Sequence, residues 1–199
     1  MNTKITIAID GFSSTGKSTL AKQLAKHFGY IYVDTGAMYR AVAYFAMKKG
    51  FITSSTFDKS ALIAALPTIQ LSFEFNETLG FAEMYLNNEN VETQIRTIEV
   101  SNYVSKVAEV SEVRAKLVEQ QQEMGKNKGI VMDGRDIGTV VFPEAELKIF
   151  MTASAATRAQ RRFAELQQKG DEVSYEEVLK NVEERDYIDT HRADSPLVI

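Results

Sequence analysis

The chain has 199 residues, with 23 lysines and arginines against 27 aspartates and glutamates, a net charge of −4, 44% hydrophobic residues and no cysteine. That length suffices for one sizeable core with a small inserted lobe. The charge leaves no overall basic field to hold nucleic acid, and the lack of thiols excludes disulfides and thiolate metal sites.

The opening "MNTKITIAID" lacks a signal-peptide design, and no apolar run approaches the ~20 residues a membrane helix needs. The expectation is a cytoplasmic protein without a membrane partner. It is also expected to be a monomer, since neither a heptad seam nor an exposed apolar stripe is visible.

Residues 5–9 are a short apolar, β-branched run, which reads as a buried parallel strand. Over 17–28, Leu20, Leu24 and Phe28 fall on one helical face with Lys22 and Lys26 elsewhere, and Gly29 can end that helix in a left-handed conformation. "YIYVD" is a second strand. Strand, tight loop, helix and strand make a βαβ unit, which implies a parallel sheet with a right-handed crossover.

A helical pattern returns over 37–49, closed by Gly50, and a short helix is expected over 58–65. "IQLSFEF" and "AEMYLNN" then alternate in polarity, and "ENVETQI" follows the turn-like "NNEN". These predict a small antiparallel sheet, with Phe73, Phe75, Phe81 and Tyr85 in its own core. Such hairpins are foreign to a βαβ series and mark an insertion. Helices follow over 97–108 and 113–123, core strands at "KGIVMDG" and "ELKIFMT", and a helix over 154–169 ended by Gly170. A last helix runs from 175 towards 190, with Ser174 as its cap and Glu177 completing a capping box.

Gly11-Phe12-Ser13-Ser14-Thr15-Gly16-Lys17-Ser18, followed by Thr19, fits G-x-x-x-x-G-K-[ST] between a strand and a helix. A phosphate needs several donors pointing inward. Glycine removes the side chains that would block backbone N–H groups from approaching, and the helix start adds unpaired N–H groups with positive dipole. Lys17 can reach the outer phosphates and Ser18 can ligate Mg²⁺. The motif points to a nucleoside triphosphate with Mg²⁺ and leaves kinase, ATPase and GTPase open.

Two further runs narrow this: "DTGAMYRA" over 34–41 after the second strand, and "DGRDIGTVVFP" over 133–143 after the third. With the phosphate loop they resemble the bacterial cytidylate kinases. The resemblance continues through 94–114, 147–170 and "ERDYIDTHRADSPL" over 184–197.

It implies transfer of a phosphoryl group from ATP, with Mg²⁺, to CMP or dCMP. The implied fold is α/β: a P-loop NTPase-type parallel sheet flanked by helices, with an inserted NMP-binding lobe and a short lid. The core would be 1–36 and 96–199, the lid near 157–172, and the lobe with its leading helix 37–95. Family members continue past the position of Ile199 with a further strand and helix that help build the adenine pocket, and Val198 and Ile199 read as the approach to that strand.

The residues suit that reaction. Cytosine shows an amino donor beside two acceptors, so its edge is read by one acceptor and one or two donors. Asp136 can accept from the amino group while Arg114 and Ser105 donate, and family members contact the base at these matched positions. Uracil would set an oxygen against the Asp136 carboxylate.

Arg40, Arg135, Arg185 and Arg192 match positions near the acceptor nucleotide, Arg40 and Arg135 chiefly at its phosphate. Arg185 serves sugar or phosphate, Asp189 the ribose hydroxyls, and Thr35 and Tyr39 line the acceptor pocket. For the last helix a salt-bridged surface is the alternative, and for Tyr39 plain packing. Arg158, Arg161 and Arg162 lie where the family has its lid arginines. Arg158 and Arg162 are assigned to the transferring phosphoryl with Lys17 and Arg135; the alternative is a solvated face with Arg161 paired to Glu165.

Asp133 ends a strand and either orients Mg²⁺-bound water or caps a turn, and Asp34 poses the same choice. Competing readings are another P-loop kinase, for UMP, AMP or shikimate, or a nucleotide binder without turnover. A GTPase-like switch lacks the N-K-x-D run that would read guanine.

Overall fold

A computed structural model describes residues 3–199. They run β1 (Thr6–Gly11), α1 (Lys17–Phe28), β2 (Ile31–Asp34), α2 (Thr35–Lys48), α3 (Lys59–Ala65), β3 (Leu71–Asn76), β4 (Phe81–Leu86), β5 (Glu89–Asn90), α4 (Ile98–Ala108), α5 (Ser111–Gly125), β6 (Ile130–Gly134), β7 (Leu147–Met151), α6 (Ala155–Gln168) and α7 (Tyr175–His191). Packing divides them into two units: the chain up to Ile31 with Lys128–Ile199, and Tyr32–Asn127. The expected lobe 37–95 lies inside the second unit, which also takes in 32–36 and 96–127.

In the first unit β1 is buried along its whole length, as a central strand of a parallel sheet must be. It pairs in parallel with β6 and β7, setting Ile9 opposite Asp133 and Gly11 opposite Met151. The four-stranded sheet has the order β2-β6-β1-β7, and Ile31 N–H donates to the Gly129 carbonyl at 2.9 Å. This is the expected α/β architecture.

The face of α1 differs from expectation. Ala21 and Ala25 are its buried apolar residues, while Phe28 is 51% exposed and rests its ring against His27 and Tyr30. The helix packs on β1 and β6, and small side chains allow that close approach. After β6 the chain makes a π-helical turn over Ile137–Val141, a feature no periodicity foretold. Helix α6 packs on α7, burying Ala159 and Leu166 from one and Val178 and Val182 from the other.

The second unit is built on α2, whose buried Ala37, Met38, Ala41, Val42 and Phe45 join one apolar cluster with α4 and α5 residues such as Val104 and Leu117. The antiparallel sheet β3-β4-β5 adds Leu71, Met84 and Leu86 to it. The expected aromatic core of this sheet is corrected: Phe75 is 68% exposed, and Phe73 is only partly buried.

The third strand is also shorter than "ENVETQI". It ends at Asn90 because the Glu92 carboxylate takes the Met84 N–H at 3.0 Å, and a 3₁₀ turn over Gln94–Arg96 follows.

Candidate active site

In the first unit, β1 delivers the chain into the glycine loop. Gly11 has φ 141° and Gly16 φ 98°. A Cβ at Gly11 would stand 2.0 Å from the Met151 carbonyl oxygen, so only glycine fits. Helix α1 begins directly at Lys17 with no acidic residue in its first turn, which leaves its N-terminal dipole for a ligand.

Lys17 is buried, and its Nζ donates to the Phe12 carbonyl and lies 3.5 Å from Thr15 Oγ1. Ser13 Oγ is buried without a hydrogen-bond partner. An unspent hydroxyl, an inward lysine and glycine-cleared backbone fit a phosphate chain. Thr19, in the first turn of the helix, is exposed.

Ser18 Oγ donates to Asp133 Oδ2 at 3.0 Å. Among the described residues no three His, Cys, Asp or Glu side chains cluster as metal ligands. Mg²⁺ on a nucleotide needs only one or two protein oxygens, so the Ser18–Asp133 pair still fits it. None of the helices among the described residues is long and apolar enough to cross a membrane.

Helix α6 sends two arginines to the loop. Arg158 is buried over the Phe12 ring at 5.0 Å. It donates to the Ala153 carbonyl at 2.8 Å, to the Ser13 carbonyl at 3.4 Å and to both Asp186 oxygens. Arg161 Nη1 donates to the Thr15 carbonyl at 3.1 Å, while Arg162 pairs with Glu165 at 3.1 Å. The alternative in which Arg161 pairs with Glu165 is not what forms: the helix phase turns 161 to the loop and 162 to the acid three residues on.

The run after β6 meets α7. Arg135 Nε donates to Asp189 Oδ2 at 2.7 Å, and Arg192 Nη2 lies 4.0 Å from Asp136 Oδ1. Arg192 also donates to the Ser195 carbonyl at 2.9 and 2.6 Å. Asp136, Asp189 and Arg192 are all buried, which is not a solvated helix face. Burial opposes the charge of Asp189, but Arg135, Arg185 and Arg192 together hold its carboxyl below the usual aspartate range.

Asp10, at the end of β1, received no role from sequence. Its Oδ1 accepts the Ile137 N–H and its Oδ2 the Gly138 N–H, both at 2.7 Å.

In the second unit Asp34 caps α2 by accepting the Ala37 N–H at 2.9 Å. Its other oxygen receives Arg40 at 3.0 Å and Arg96 at 2.9 Å. Of the two readings for Asp34, these contacts are those of a cap. Burial works against its charge, but the two guanidiniums and the Ala37 N–H hold the carboxyl well below the usual range.

Glu92 fixes Arg96 in turn, through Nε at 2.9 Å and Nη2 at 2.6 Å. No motif marks Arg96 in the sequence, because Asp34, the carboxylate it shares with Arg40, is remote from it along the chain. Arg114 is buried, donates to the Ala108 carbonyl at 3.4 Å and stands 5.7 Å over the Tyr39 ring. Thr35, Tyr39 and Ser105 are buried too.

The model of the family described as cytidylate kinase matches residues 7–199. Three curated proteins with that same description are similar along the chain. The one from Flavobacterium johnsoniae is 84% identical over 196 residues, covering 98% of this chain and 85% of its own length. That from Flavobacterium psychrophilum is 73% identical over 195 residues, covering 98% and 86%. That from Phocaeicola vulgatus is 62% identical over 194 residues, covering 98% and 85%.

Proposed function

This chain belongs to the cytidylate kinase family, and we propose that it transfers the γ-phosphoryl of ATP to CMP or dCMP, giving ADP and CDP or dCDP. The family match supports the acceptor, and the observation that carries the ATP side is the phosphate loop: a buried Lys17 and an unpartnered Ser13 hydroxyl beside the Ser18–Asp133 pair. The reading places the reaction in the cytoplasm, on a monomer.

Two anions repel as they meet, and the chain's cations lower that repulsion. Residues 11–19 wrap the ATP phosphates through backbone N–H groups, with Lys17 at the outer ones. Ser18 would hold Mg²⁺ directly and Asp133 through a bound water. When bound, the ion would supply positive charge that eases the repulsion at the transferring phosphoryl. Arg40 and Arg135 bind the acceptor phosphate as planar forks. Arg158 and Arg162 from α6 serve the transferring group. Thr35, Tyr39, Arg185, Asp189 and Arg192 seat the acceptor's sugar and phosphate, and Ser105, Arg114 and Asp136 read cytosine. A phosphate dianion is already a nucleophile, so no general base is required and positioning supplies most of the rate.

The test is a coupled ADP-release assay of the purified chain with CMP, dCMP, UMP and AMP, with and without chelator. CMP and dCMP should be turned over, UMP and AMP poorly, and chelation should stop the reaction. Lys17→Ala should abolish it. Equal kcat/KM for CMP and UMP would overturn the proposed base reading.

A further inference from the structure

A buried carboxylate at the end of β1 does work that the reaction scheme leaves unassigned. Asp10 is 7% exposed, and each of its oxygens accepts one backbone N–H at 2.7 Å, from Ile137 and from Gly138. Those two amides open the π-helical turn that follows Asp136. The turn closes back on Asp136 itself, whose carbonyl accepts the Val140 N–H at 2.9 Å and the Val141 N–H at 3.2 Å. Asp136 is thus fixed by a turn whose first two amides have Asp10 as their acceptor.

The strand register brings this about, since Asp10 pairs with Gly134 across β1 and β6. Gly138 is fitted closely between the Lys148 side chain and the carboxylate: a Cβ there would stand 3.1 Å from Lys148 Cδ, the far part of a flexible chain, and 3.3 Å from Asp10 Oδ2. The chemistry demands an aspartate. Two N–H donors need two acceptors, and an asparagine would set an NH₂ donor against one of them.

The geometry points to Asp10 as a specificity-determining positioning residue: from the strand that carries the phosphate loop, it sets the backbone that aims Asp136 at the acceptor base. This rests on the reading of Asp136 as the group that accepts from the cytosine amino group. Asp10 touches neither nucleotide; it acts through the turn.

The experiment measures kcat/KM for CMP and for UMP, and KM for ATP, on the full chain and on Asp10→Asn, Gly138→Ala and Asp136→Ala. Their ratio does not depend on the fraction of active protein, so a merely destabilising change leaves it untouched. Losing one hydrogen bond to a charged acceptor corresponds to ~tenfold or more. Asp10→Asn should therefore cut the CMP-to-UMP ratio by about that factor, with ATP KM moving less than about twofold. Gly138→Ala should shift the ratio the same way, and it decides the matter should Asp10→Asn fail to fold. If Asp136→Ala lowers the ratio while the Asp10 and Gly138 variants keep it, the inference is wrong and the reading of Asp136 survives. If Asp136→Ala itself keeps the ratio, the base reading falls and the inference falls with it.

Discussion

One oxygen of Asp34 receives two guanidiniums, from Arg40 and Arg96, and the other receives the first turn of α2. Arginine flexes over many rotamers, and binding a phosphate with it costs less when a partner has already fixed the fork. Asp34→Asn keeps the cap but removes the charge. We expect a loss of about 2 kcal/mol of stability in urea unfolding, in line with hydrogen bonds to charged groups, and a rise of up to about tenfold in KM for CMP. An unchanged KM for CMP would mean that Arg40 does not depend on this anchor.

The sequence made the phosphate loop readable because its parts are contiguous: backbone, lysine and hydroxyl all lie within one turn. It hid Asp10 because its partner Ile137 is 127 residues away. It hid the Arg96–Asp34 pair for the same reason, and it could not say which arginine Glu165 takes because spacings of three and four residues are equally good on a helix.

Among the elements, α7 shows how local chemistry fixes a boundary. Ser174 Oγ accepts the Glu177 N–H at 3.2 Å, and the Glu177 carboxylate accepts the Ser174 N–H at 2.8 Å. The reciprocal box was legible because it needs only residues three apart. Ser174→Ala should cost roughly 1 kcal/mol of stability. Arg185, Asp189 and Arg192 lie at the other end of the helix, so kcat with CMP should be unchanged. A fall in kcat matching the loss in stability would show that fraying reaches them.

The third strand of the small sheet was misread for the opposite reason. Polar alternation marks residues able to pair, yet the Glu92 side chain accepts the N–H that a longer partner strand would have taken.

For the molecule as a whole, acid is the informative stress. Asp34 and Asp189 have folded-state values pushed below those of the unfolded chain, despite burial, by the arginines around them. Glu146 is held at about 2 by Lys128 and the Thr6 N–H, and Glu177 is held below its usual range by the N–H and hydroxyl of Ser174. Each contributes stability that is fully present above the unfolded value, about pH 4, and is lost as pH falls through the folded one. Asp10 has the opposite sign. Burial raises its value against the two N–H groups it accepts, so taking up a proton there favours the folded form.

Four carboxylates against one predict a melting temperature that falls steeply below about pH 4. Asp189→Asn should melt lower at neutral pH and show a shallower acid decline. An equally steep decline in that variant would remove Asp189 from the account.

The 2.0 Å approach of the Met151 carbonyl to the place where a Cβ would sit on Gly11 has a genetic reading. Every amino acid reachable from a glycine codon by a single base change carries a Cβ. Sterics alone therefore remove each such mutant, before any question of chemistry arises. The position would stay invariant in a lineage that had lost its need for nucleotides but kept these two strands side by side.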